Sequence, residues 1–162
     1  MIERTGAGES VSPSPGPASP PRVTVTFAAD RASYAAGDLL QARYRVEAVD
    51  PATITAIERS VVWYTEGKGE EDFGVVFFDR LLADQSGSAA DASAPAAAAD
   101  WLSGSFGTQL PLSPLSYEGL IVKIRWCVRV RLFFVSGRDF VSEHVFFVGD
   151  IPVARPLGLA VS

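Results

Sequence analysis

Apolar and polar residues alternate with a period of two along most of the chain, the pattern of half-buried strands rather than helices. Val23, Val25 and Phe27 are interleaved with Thr24 and Thr26, and Leu40, Ala42, Tyr44 and Val46 with Gln41, Arg43, Arg45 and Glu47. From Leu120 to Phe134 the even positions are all apolar, whereas the odd ones carry Ile121, Lys123, Arg125, Cys127, Arg129, Arg131 and Phe133. Ser136-Gly137-Arg138-Asp139 then turns the chain into a hairpin partner over 140–148. Further strands are predicted over 53–64, 73–82 and 102–109. Outside an Ala-rich stretch no segment sustains a 3.6-residue period. About seven strands separated by turn signals predict an all-β sandwich of two sheets, immunoglobulin-like in kind, with a barrel as the other way to close them.

The pattern also bounds the domain. Residues 1–21 read as a disordered Pro/Ser-rich arm, because the prolines from Pro13 to Pro21 repeatedly remove backbone donors and leave little to bury. Residues 84–100 read as a flexible Ala/Ser-rich insertion broken by Gly87 and Pro95. Loop closure tolerates such a length at small entropic cost. The sandwich is expected over 22–150, with a tail over 151–162.

Two segments narrow the sandwich. Tyr34-Ala35-Ala36-Gly37-Asp38, between a short first strand and a longer second one, resembles the Tyr-x-x-Gly-Asp turn of arrestin-like N-terminal domains. Gln109-Leu110-Pro111-Leu112-Ser113-Pro114-Leu115-Ser116-Tyr117-Glu118-Gly119 resembles the Pro- and Gly-punctuated segment before a long strand in that family. Trp126 stands in that strand where the family often has Tyr. The resemblance covers roughly 22–148. It implies a fold and a habit of acting through protein contacts, but no named partner. The segment Trp63 to Gly69 and the Ala-rich insertion depart from the family pattern. Full arrestins hold two such sandwiches, whereas this chain has room for one.

Composition restricts the chemistry. An apolar fraction of 48% supports a packed core. A net charge of −5 argues against nucleic-acid binding through a bulk positive field. One cysteine, Cys127, rules out an internal disulfide. The N-terminus has no apolar run of a secretory signal, and no stretch approaches the length of a membrane span. A cytoplasmic protein without a transmembrane segment is expected, with peripheral membrane contact left open. His144 is the only histidine, so a Ser-His-Asp arrangement or a Cys127–His144 pair is formally possible, but Cys127 sits among arginines on a strand with no Gly-rich elbow. Two soft ligands are too few for zinc. Glu66, Glu70, Glu71 and Asp72 crowd a loop with Gly67 and Gly69, but Lys68 sits among them and the spacing fits no calcium loop. No cofactor, metal or catalytic residue is expected.

The feature above background is a basic stripe. Lys123, Arg125, Arg129 and Arg131 share one face of a strand, and Arg43 and Arg45 lie on the non-core face of another. Arginine forks in such a place suit an acidic peptide, a phosphate or a lipid headgroup. The competing reading is cross-strand pairing with Glu47, Glu58, Asp139 or Glu143, which only keeps the face soluble. Adjacent phenylalanines at 77–78, 133–134 and 146–147 place one ring of each pair outside the core, offering an apolar patch to a partner or a second copy. The function expected is a non-enzymatic scaffold or adaptor that binds a protein partner through sheet faces or edges. The alternatives are a module binding a carbohydrate or ion at end loops 66–72, 84–100 and 111–119, and a homo-oligomeric structural protein.

Overall fold

In the computed structural model, residues 19–84 and 101–150 are described; the expectations for the arm, insertion and tail fall almost wholly outside them. The alternating segments form β1 (Arg22–Phe27), β3 (Leu39–Glu47), β4 (Ile54–Gly67), β5 (Phe73–Leu82), β6 (Ser103–Gln109), β8 (Val122–Phe134) and β9 (Asp139–Val148). Two-residue strands β2 (Ser33–Tyr34) and β7 (Tyr117–Glu118) complete them. Helical turns among the described residues are two single 3-10 turns, and no helix is long and apolar enough to cross a membrane.

The strands build two packed sheets, as the period-two pattern requires. The smaller has the order β1-β3-β6, and the larger the order β2-β9-β8-β4-β5, with β7 pairing β8 beyond the end of β9. Strand β3 alternates exposed and buried residues along its whole length, sending Leu40, Ala42, Tyr44 and Val46 inward. They meet Ile57, Val61, Trp126, Val128, Val130, Leu132 and Phe146 from the larger sheet. Strand β4 is central and almost continuously buried, so its alternation is weak.

The two motif segments are structural fastenings. The Asp38 carboxylate accepts hydrogen bonds from the Ala35 backbone N–H at 3.0 Å and from Arg31 at 2.9 Å, closing the turn. Those two bonds, the backbone one first, hold the Asp38 carboxyl below its usual range. Gly37 takes φ +82°, where a side chain would be strained. In the second segment Pro114 O accepts from Trp126 Nε1 at 3.2 Å, and buried Ser116 exchanges two 2.8 Å hydrogen bonds with the Val148 backbone. A Cβ on Gly119 would stand 2.5 Å from Val122 O, so only glycine admits this strand entry.

Candidate functional site

Both outer sheet faces hold sequence-predicted site residues, and they lie on opposite sides of the sandwich. Strand β8 runs through the larger sheet between β4 and β9. Register sets Arg125 beside Tyr64, Cys127 beside Val62 and Val145, and Arg129 beside Ser60 and Glu143. The basic residues of β8 are all engaged. Arg125 bonds Glu66 at 2.8 Å and Glu118 at 2.9 Å; Arg129 reaches Glu143 at 2.6 Å, Arg131 reaches Asp139 at 2.7 Å, and Lys123 reaches Glu118 at 3.5 Å. The Glu66 bond, more than any other contact, raises the pKa of Arg125 further. Glu58 pairs with Arg80 of β5 at 3.0 Å rather than with the stripe.

These guanidiniums also lie on aromatic rings: Arg129 over Phe73 at 5.5 Å, and Arg131 and Arg80 over Phe133 at 4.7 and 4.8 Å. Beneath them Val62 and Cys127 are fully buried although they face away from the core. Beside this floor, β5 leaves Phe73, Val75 and Phe78 exposed by 52%, 53% and 58%, and β9 leaves Val141 and Val145 each 44% exposed. One apolar row thus crosses the outer face from Val75 through Val62 and Cys127 to Val145, flanked by the Arg125–Glu66 and Arg129–Glu143 pairs, the latter separating it from Val141. The phenylalanine pairs split as their alternation requires: Phe77, Phe134 and Phe146 pack on the core, while Phe78 and Phe147 are exposed.

The smaller sheet's outer face is polar and differently arranged. Arg45 of β3 sits between Thr24 of β1 and Ser103 of β6, and Arg43 sits between Thr26 and Ser105. These two Thr–Arg–Ser rows line adjoining shallow depressions of about 620 and 690 Å³. Arg45 meets Glu47 only at 3.8 Å, with most of its side chain in solvent. Among the described residues Arg43 has no ion pair. The acids near this face stand at its ends, Glu47 beyond Arg45 and Asp30 beyond Phe27.

Cys127 and His144 cannot meet. Cys127 pairs with Val145 on the outer side, whereas His144 points inward with Phe146, two positions along β9. Burial, with the Glu143 charge adding to it, pushes the Cys127 thiol up to about 12, far from the thiolate a nucleophile requires. Burial lowers the pKa of His144, which shares a 2.8 Å hydrogen bond with Ser142. The Glu66–Asp72 loop encloses about 190 Å³. Among the described residues no group of three or more His, Cys, Asp or Glu side chains is placed to hold a metal.

One charged pair escaped the sequence reading. Arg59 of β4 points between the sheets, 8% exposed, and donates from Nη2 to Asp79 of β5. Its guanidinium lies 5.3 Å from the Tyr44 ring and 5.5 Å from the Phe106 ring, both on the smaller sheet. Tyr44 Oη in turn donates to Trp101 O at 2.8 Å. The pair fastens β4 and β5 to the opposite sheet. A signal was available: Arg59 interrupts the inward apolar series Ile57, Val61, Trp63.

No family model matches the chain, and no curated protein matches it. Among solved structures, it is similar to Spo0M, a sporulation control protein from Bacillus subtilis, with TM-score 0.51 and 16% identity. The match covers 81% of this chain and 50% of that one. At that identity the likeness concerns the fold, which is arrestin-like.

Proposed function

We propose that this domain is a non-enzymatic adaptor or scaffold that binds a protein partner through the outer face of its larger sheet. The observation that carries the reading is the apolar row Val75–Val62–Cys127–Val145 across the sheet, with Phe73 and Phe78 exposed at its β5 end and arginine–carboxylate pairs on either side. Protein interfaces share that anatomy, an apolar centre rich in aromatics and arginine inside a polar rim. Arg125, Arg129, Arg131 and Lys123 then act as rim, their charges already balanced by neighbours. The arrestin-like fold, a habitual protein-contact architecture by the resemblance noted above, supports the same reading. A lone buried thiol suits a reducing compartment, and we place the domain in the cytoplasm.

The test is site-specific photo-crosslinking in cells that express the chain, with the reactive group at position 75 or 78 and a control at exposed Arg138. Discrete protein adducts are expected from 75 and 78 and not from 138, and Phe73→Glu should remove them. Adducts no stronger than the control would contradict the reading. A product made of two copies of the chain would identify the face as a homo-oligomer contact instead.

A further inference from the structure

The smaller sheet carries a second surface of different chemistry. Its two Thr–Arg–Ser rows repeat in register: Thr24, Arg45 and Ser103 in one, Thr26, Arg43 and Ser105 in the next. All six residues are exposed. Each row offers one guanidinium flanked by two hydroxyls able to donate, with no carboxylate inside it. The rows lie two residues apart on β3, a step of about 7 Å at strand rise. That step equals the distance between alternate side chains of an extended peptide, which project to the same side.

We propose that this face reads an extended acidic segment of a partner protein, taking peptide carboxylates at positions i and i+2 on Arg43 and Arg45. Charge selects carboxylates over phosphoryl groups. One guanidinium per row balances one carboxylate, whereas a phosphoryl group near pH 7 brings about −1.5 to −2 and would leave excess negative charge. The planar guanidinium fork matches carboxylate geometry, and the hydroxyls complete its hydrogen bonds. Asp30 closes one end of the two rows, and at the other Glu47 stands opposite Arg22, so among the described residues the only rows with a guanidinium and no acid are those of Arg43 and Arg45. The site lies on the face opposite the apolar strip, so its failure would leave the proposed function standing.

The test uses the full chain and a fluorescent peptide whose only charges are two glutamates two positions apart, followed by anisotropy. Saturable binding is expected, weakened about tenfold or more by Arg43→Gln with Arg45→Gln, on the scale of one lost charge-assisted contact or more. Arg131→Gln on the other face should leave it unchanged. A peptide with its two glutamates adjacent, which project to opposite sides when extended, should bind several-fold more weakly. Any of four results would overturn the proposal: no binding, equal loss with Arg131→Gln, equal affinity for the adjacent-glutamate peptide, or tighter binding when phosphoserine replaces glutamate.

Discussion

The two outer faces of the sandwich hold arginines on their central strands, yet the arginines do different things. On the larger sheet every β8 cation meets a carboxylate, Lys123 and Arg129 directly across the strand and Arg125 and Arg131 on diagonals, and the Arg129 and Arg131 guanidiniums lie over Phe73 and Phe133. On the smaller sheet, register delivers only threonine and serine to Arg43 and Arg45. The denser stripe is the electrostatically quieter one. What a basic residue can offer a partner is set by what pairing places across the strand, more than by how many such residues a strand holds.

The contrast can be broken most forcefully between the faces. Asp79→Ala would leave the Arg59 guanidinium without its counter-charge in a nearly closed interior. Loss of one member of a fully buried pair costs roughly 3–5 kcal/mol. Asp79 is 41% exposed in its side chain, so screening brings the expected loss to about 2 kcal/mol, read as a lower denaturant midpoint. Replacing both Arg59 and Asp79 by apolar residues should recover much of that loss.

Next in size are the pairs on the larger face. A double-mutant cycle on Arg129→Gln and Glu143→Gln should give a coupling of roughly 0.5–1 kcal/mol, modest because both side chains are about one third exposed. The coupling should shrink as salt is raised. A value near zero would mean that this stripe is as uncommitted as Arg43.

Smaller still, Arg43→Gln should leave stability within about 0.5 kcal/mol of the parent, because it breaks no ion pair among the described residues. A larger loss would show that Arg43 is structural and erase the difference between the faces.

The turn aspartate contributes the last effect. The folded pKa of Asp38 lies below the 3.8 of an unperturbed aspartate, so its contribution is complete above that value and is lost as pH falls through the lower, folded one. Asp38→Asn should flatten the acid limb of the stability–pH curve while leaving the neutral limb parallel to the parent.

The long strands were legible in sequence because β3, β8 and β9 each have a wet side, which makes alternation visible. Tyr34–Asp38 and Gln109–Gly119 were legible as turn and entry segments, although strands β2 and β7 within them are too short to show a period. Site chemistry was less accessible. That Arg43 and Arg45 point outward follows from parity alone; that β8 bears its arginines on the opposite side of the molecule follows only from sheet order. Glu66 and Glu118 come to Arg125 from strands 59 and 7 residues away along the chain, and nothing local announces such a meeting. Arg59 breaks the inward apolar series of β4, but that strand is covered on both faces, so the break had no wet side to stand out against.

The difference between the faces is tested most directly by nitrogen-15 NMR of the arginine side chains, measuring exchange of each Nε–H with water. Arg129 and Arg131 donate those hydrogens to Glu143 and Asp139 at 2.9 and 2.7 Å, so their exchange should be slow. Arg43 and Arg45 should exchange at the rate of solvated arginine. Equal rates on both faces, or protection confined to Arg43 and Arg45, would contradict the distinction on which the two proposed binding surfaces rest.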